Sequence, residues 1–330
     1  MRKVLQYELA AVPPALFHDD GTMRKTNKAD LAHRLESSCP EVLAELPQIP
    51  VSTSSSYIID GMAVLQSLNE NQFRTFKELA EVVQKRTVRL LRNHSLQFRC
   101  VTIVFDRYDN GSSIKTTERE RRGSSGSQLP TYQIHGSRQV PNYRKFLRGA
   151  CNKASLANYI SCYILDHAAE DIPHGKSIIL AGGFSEGELV KAVNPSSVSS
   201  LESLYSTHEE ADTRMILHAC SLSEDHNMII IRCDDTDVLV LLVYYFSRGQ
   251  LAEHVYMYAG HSGKERYIPV HLIANELGPT VCECLPAAHA LTGCDTTCSL
   301  NRIGKKTAYS KLVNNADILS QLKTFHEDNV

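Results

Sequence analysis

Acidic residues stand again and again where an apolar run of this chain stops. Asp60 closes YII, Asp106 closes TIVF, Glu209, Glu210 and Asp212 follow SLYSTH, and Asp234, Asp235 and Asp237 follow MIIIRC. Asp295 comes after the turn LTGC in the C-terminal part. One acid at a helix start commonly caps backbone N–H groups and complements the helix dipole. A whole set gathered on one sheet edge repels itself unless cations neutralise it. Hard divalent ions take oxygen ligands, and two of them about 4 Å apart activate a water and stabilise the leaving oxygen of a phosphodiester. At an extended strand end, residues i and i+2 face the same side. That spacing pairs Asp235 with Asp237, and Glu210 with Asp212.

Such positions need a sheet to hold them. YIID reads as a short buried strand, MAVLQSL and FKELAEVVQKRTVRLLRNH carry apolar residues at helical spacing, and VTIVFD is a second strand. SIIL is a third, with AGGFSEGELVKAV turning a hairpin through Gly182 and Gly183. SLYSTHEEADTRMILHACSL reads as a short strand entering a helix, and MIIIRCDDTDVLVLLVYYF repeats that arrangement. HVYMYA and the segment Arg266 to Val270 add edge strands, and the chain from about His271 is helical. Strands alternating with helices give a mainly parallel sheet covered on both faces, whose functional crevice lies at the carboxyl ends of the strands.

The order of these motifs resembles the flap-endonuclease and XPG-like 5′ nucleases of the PIN-like superfamily, from about Tyr57 to Ala308. The matching motifs are IIDG at Asp60, VFDR at Asp106 where the family has VFDG, and E-A-D at Glu210 and Asp212 where it has E-A-E. Asp235-Thr236-Asp237 supplies the D-x-D pair, and Asp295 precedes RIGKKTA, where the family has a GIGxKxA hairpin. Arg302 stands at that hairpin's first glycine. The resemblance implies a Mg²⁺-dependent endo- or exonuclease that recognises branched or single-stranded 5′ ends. It also implies a helical arch after the second acid, whose lysines and arginines grip the scissile phosphate, with Lys115 and Arg119 as nearest counterparts. The chain is similar, too, to multi-copy animal proteins with the character of mobile-element derivatives, and both its ends read as cut from something longer.

The interval after Asp106 carries Lys115, Arg119, Arg121 and Arg122, then Arg138, Arg144, Lys145 and Arg148, opposed by Glu118 and Glu120. That local excess is an electrostatic footprint for phosphate, set against a net charge of only −2 for the whole chain. Lys305 and Lys306, at a helix start, are a second expected phosphate contact. Cys282, Cys284, His289, Cys294 and Cys298 lack the paired C-x2-C knuckles of a zinc site and read as core thiols. The ten cysteines form no repeating framework and read as reduced. No run reaches a membrane span and no signal peptide opens the chain, so the expected location is inside the cell, nucleus or cytoplasm.

The expected fold is a Rossmann-like, mainly parallel α/β sheet flanked by helices, with a C-terminal helical extension. Residues 1–50 are read as an extension or the tail of an upstream region, 51–270 as a PIN-like nuclease domain, and 271–330 as a helical region with a partial helix-hairpin motif. Within the second, 107–150 form a basic, mobile, arch-like insertion. The expected function is metal-dependent hydrolysis of phosphodiester bonds, selective for structure or 5′ ends, with DNA ahead of RNA as partner. Two Mg²⁺ or Mn²⁺ ions are expected, one on Asp60, Asp106, Glu210 and Asp212, the other on Asp235, Asp237 and Asp295. The alternative is a catalytically silent scaffold that binds nucleic acid or protein, its acids serving as caps. A small-molecule phosphohydrolase would need a D-x-D at the first strand, which is missing.

Overall fold

Three of the runs that end in acids, YII, TIVF and MIIIRC, become neighbouring strands of one sheet. The computed structural model describes residues 12–39, 43, 45, 53–93, 97–107, 130–261, 263–315 and 318–324. Its strands are β1 (Ser55–Asp60), β2 (Phe98–Val104), β3 (Ser177–Ala181), β4 (Val190–Val193), β5 (Val198–Ser200), β6 (Met228–Arg232), β7 (His254–Ala259) and β8 (Arg266–Pro269). They line up in the order β5-β4-β3-β2-β1-β6-β7-β8. The run from β3 through β2, β1 and β6 to β7 is parallel, while β4, β5 and β8 pair antiparallel at the two edges. Strand order reverses at β1, so the crevice of an open α/β sheet falls at the carboxyl ends of β1 and β6.

Alternate side chains of each strand enter opposite cores, as period-two geometry requires. In β6, Ile229 and Ile231 join one cluster and Met228 and Ile230 the other. The second face is covered by α2 (Gly61–Gln66), α3 (Phe76–Leu91), the short α4 (Tyr143–Phe146) and α5 (Ala150–His167). The first is covered by α1 (Ala29–Ser37), α6 (Ala211–Leu222), α7 (Thr236–Ser247) and α8 (Val270–Leu291), with α9 (Lys305–Asn314) adding Leu312. Both faces being buried explains why the central strands read as continuous apolar runs. The fold is thus an α/β, mainly parallel sheet between helices with a C-terminal helical extension. Among the described residues no helix is long and apolar enough to cross a membrane.

Several elements differ from the sequence reading. SLYSTH forms no strand: Glu202–Leu204 is a 3-10 turn, and the edge strand β5 lies just before it on the polar, exposed VSS. HVYMYA is interior, paired by β6 and β8, because Val255 and Met257 complete one core and Tyr256 the other. Tyr143, Phe146 and Leu147, expected in an exposed insertion, are buried under α3 and α5. α8 is two helical pieces meeting at Gly278, whose φ of 74° and following Pro279 break the ladder.

Candidate functional site

Helix starts fix several of the acids at the sheet edge. Asp60 ends β1 and N-caps α2, its Oδ1 accepting from Met62 N at 2.7 Å. The helix can start so abruptly because residue 61 is glycine: a Cβ there would collide with the Phe105 ring. Past the end of β2, Phe105 N donates to Ala181 O at 2.8 Å and Arg107 N to Glu209 O at 2.8 Å. Between those two rungs Asp106 Oδ1 accepts from Ala211 N, the first residue of α6, at 2.8 Å. The buried Arg214 guanidinium fastens the loop below, donating to His208 O, Gly187 O and Ser206 O at 2.9, 2.6 and 2.7 Å. Gly182 at φ 76° leaves room for it, since a Cβ would meet Arg214 and the Phe105 carbonyl.

Glu210 is the extended N-cap residue of α6 and Asp212 lies in its first turn. Likewise Asp235 N-caps α7, accepting from Asp237 N at 2.9 Å, with Asp237 inside the first turn. The i, i+2 pairs therefore straddle helix starts rather than strand ends. Asp235, Asp237 and Asp295 nevertheless converge, each offering a carboxylate oxygen within 4.8 Å of the others. Among the described residues this is the group of three or more such side chains that comes so close, and no cysteine belongs to one. Asp60, Asp106, Glu210 and Asp212 are spread more widely along the same edge. Cys233 lies between the two sets: burial raises its thiol pKa, and the charges of Asp212, Asp235 and Asp60 raise it further.

The two sets differ electrically. Burial and the neighbouring Asp106 charge push the Asp60 carboxyl up to about 6, against backbone hydrogen bonds and Lys153 pulling it down. Asp237 moves the other way. Burial opposes its ionisation, but the hydrogen bond with His289 and the Lys28 charge hold it at about 2.

Lys28 and His289 are the functional neighbours that sequence reasoning missed. Lys28 Nζ lies 3.2 Å from Asp235 Oδ1, 3.1 Å from Asp237 Oδ2 and 2.9 Å from Asp295 Oδ1. Burial disfavours its ammonium, yet those three carboxylates hold its pKa above the ordinary lysine value. His289 Nε2 is 2.7 Å from Asp237 Oδ1, and its Nδ1 is 2.9 Å from Lys305 Nζ. An ammonium has no acceptor, so Nδ1 accepts and Nε2–H points at Asp237. No local pattern marks Lys28, although Leu31 and Leu35 at i, i+4 signal the helix it precedes.

The expected basic contacts have mixed placements. Lys115, Arg119, Arg121 and Arg122 lie outside the described residues. Lys305 is buried, and burial lowers its pKa to about 8, so reaching a phosphate would require it to leave His289. Lys306 is exposed, its Nζ 3.6 Å from Asp30 Oδ1.

An all-oxygen donor set fits hard cations such as Mg²⁺ or Mn²⁺. Around Asp60 the fit is supported by a carboxyl that burial, and after it the Asp106 charge, raises, and that a cation would lower. At Asp235, Asp237 and Asp295 the donors also fit, but Lys28 Nζ already stands among them.

No protein-family model and no curated protein matches the chain. Among solved structures it is similar to the catalytic core of Rad2 in complex with DNA substrate. One such structure shares 14% identity over 90% of this chain and 73% of that one, with a TM-score of 0.43. Two others, of further complexes, have 15% and 14% identity and TM-scores of 0.39 and 0.38, covering 88% and 86% of this chain and 68% and 76% of theirs.

Proposed function

We propose that the chain is a divalent-metal-dependent nuclease that hydrolyses phosphodiester bonds, with the acids at the carboxyl edge of its sheet as the working site. The observation that carries this reading is the convergence of Asp235, Asp237 and Asp295 within 4.8 Å of one another, beyond the carboxyl end of β6 and beside the β1/β6 switch point. Asp60, Asp106, Glu210 and Asp212 would hold a Mg²⁺ or Mn²⁺ ion, and Asp235, Asp237 and Asp295 form a second cation position. When bound, the ion supplies Lewis acidity, polarising a phosphoryl oxygen and neutralising charge that builds there. The chain's own residues set the geometry. Helix starts fix Asp60, Asp106 and Asp235, His289 orients Asp237, and a carboxylate edge left ionised accepts a proton from an attacking water. The motif order that resembles the PIN-like 5′ nucleases supports nucleic acid as substrate, DNA before RNA, and selectivity for structured or 5′ ends.

One observation favours a second reading, a silent scaffold. Three of the acids cap or anchor helix starts, and Lys28 and His289 already compensate Asp237. End-labelled flap, hairpin and single-stranded DNA and RNA, incubated in Mg²⁺, Mn²⁺ or chelator, separate the two. Metal-dependent cutting by the wild type, absent from an Asp235→Asn, Asp237→Asn double variant, is the expected result. Equal binding by both proteins with no cutting in either metal establishes the scaffold.

A further inference from the structure

The three carboxylates of the second position are each met by one ammonium. An ammonium has three N–H donors and no acceptor. Lys28 Nζ has three acidic oxygens at 3.2, 3.1 and 2.9 Å, from Asp235, Asp237 and Asp295, so the donor count is matched. Those are hydrogen-bond lengths, about 1 Å longer than the roughly 2.1 Å bonds of Mg²⁺ to oxygen. The position as built is sized for an ammonium, and Nζ occupies the place where the three oxygens would share an ion.

The backbone carrying Lys28 is fastened on both sides. Before it, Arg24 O accepts from Ser299 N at 2.8 Å and Thr26 Oγ1 donates to Thr292 O at 2.8 Å, tying it to the turn that presents Asp295. After it, α1 buries Leu31 and Leu35, and Glu36 forms a two-pronged pair with Arg266 on β8 at 2.7 and 2.6 Å. A side chain on so anchored a segment is a fixture of the site.

We infer that Lys28 is the resident cation of the second carboxylate position, so that this chain takes one exchangeable divalent ion fewer than a site of seven acids would suggest. The inference rests on the nuclease reading for the importance of the site, but not for its test. Lys28 supplies fixed positive charge beside the cluster, while Lewis acidity comes only from the ion held by the remaining acids.

The test counts ions on the whole chain by titrating Mn²⁺ and following the unbound ion by electron paramagnetic resonance. Lys28→Ala is expected to bind one Mn²⁺ more than the wild type, and Lys28→Arg to match the wild type. Without metal, Lys28→Ala should melt lower than the wild type and recover on adding Mn²⁺. Asp295→Asn, in which Lys28 remains, is expected to keep the wild-type count. This last comparison decides the matter if Lys28→Ala does not fold. Equal counts in the wild type and folded Lys28→Ala, or an ion lost in Asp295→Asn, overturn the inference. Absence of cleavage defeats the nuclease reading alone, because the count difference is read without substrate.

Discussion

Asp60 and Asp237 follow adjacent strands on the same edge, Asp60 as the N-cap of α2 and Asp237 in the first turn of α7, yet their carboxyls are displaced in opposite directions, to about 6 and about 2. Burial disfavours the ionised form of both. What separates them is the company: Asp106 beside one, Lys28 and His289 beside the other. Around Asp60, burial and the Asp106 charge outweigh the backbone hydrogen bonds and the pull of Lys153; around Asp237, His289 and Lys28 outweigh burial. A cation bound beside Asp60 would lower a carboxyl that the folded protein raises.

The largest effect expected from disturbing this contrast is on chemistry. Asp237→Asn keeps the size of the side chain but removes its charge, and cleavage rates measured with saturating Mn²⁺ should fall by roughly 10²–10³-fold, the usual scale for losing one preorganised electrostatic group. An unchanged rate would place the working acids elsewhere.

Next comes the support behind Asp237. His289→Ala leaves Asp237 short of a donor and Lys305 buried beside a gap, so urea unfolding should report a loss of about 2–4 kcal/mol. A loss below about 0.5 kcal/mol would mean the pair relaxes into water.

Asp60→Asn should do the reverse. An amide keeps the cap on α2 while the charge facing Asp106 disappears. Raising a carboxyl from 3.8 to about 6 costs the folded state up to about 3 kcal/mol once it is ionised. A raised carboxyl favours the folded state's protonated form, so this cost is absent below about pH 4, grows up to about pH 6 and is complete above it. Metal-free Asp60→Asn should therefore be more stable than the wild type at pH 7, by about 1–3 kcal/mol, and equal to it near pH 4. Asp237 has the opposite sign. Its contribution is present above pH 3.8 and lost as the pH falls towards 2. Melting curves across pH 3 to 8 check both. The same stability at pH 7 for Asp60→Asn and wild type would remove the asymmetry.

The smallest effect is expected at the anchor of α1. Glu36→Gln weakens the half-buried pair with Arg266 and should cost about 0.5–1 kcal/mol in thermal unfolding, with the Mn²⁺ count unchanged. A changed count would make the anchor part of the site.

The asymmetry was only half legible in the sequence. Asp60, Asp106, Asp235 and Asp237 could be located because they follow apolar runs, and apolar runs are how interior parallel strands announce themselves. β5 escaped because VSS at an exposed edge has no apolar signal. α5 escaped although Leu156, Ile160 and Ile164 are spaced i, i+4, because Asn, Ser and Cys fill its other positions. Lys28 was out of reach for a different reason. Its partners lie 207 and 209 residues away at Asp235 and Asp237, and only the closed fold brings them together. His289 sat in view among cysteines that suggested zinc or core packing, and its use as a donor to Asp237 depends on α8 folding back against α7. Charges that repel were readable from position along the chain; the charges that answer them were tertiary.

The most direct measurement is Mn²⁺-dependent cleavage of end-labelled flap DNA by wild type and Asp60→Asn side by side, with a melting curve on each preparation. The expected result is cutting by the wild type that chelator abolishes, a rate in Asp60→Asn lower by at least about 10²-fold, and a metal-free variant that melts no lower than the wild type. Equal rates in the two proteins, or no cutting by the wild type on any branched or single-stranded substrate in either metal, would contradict the account.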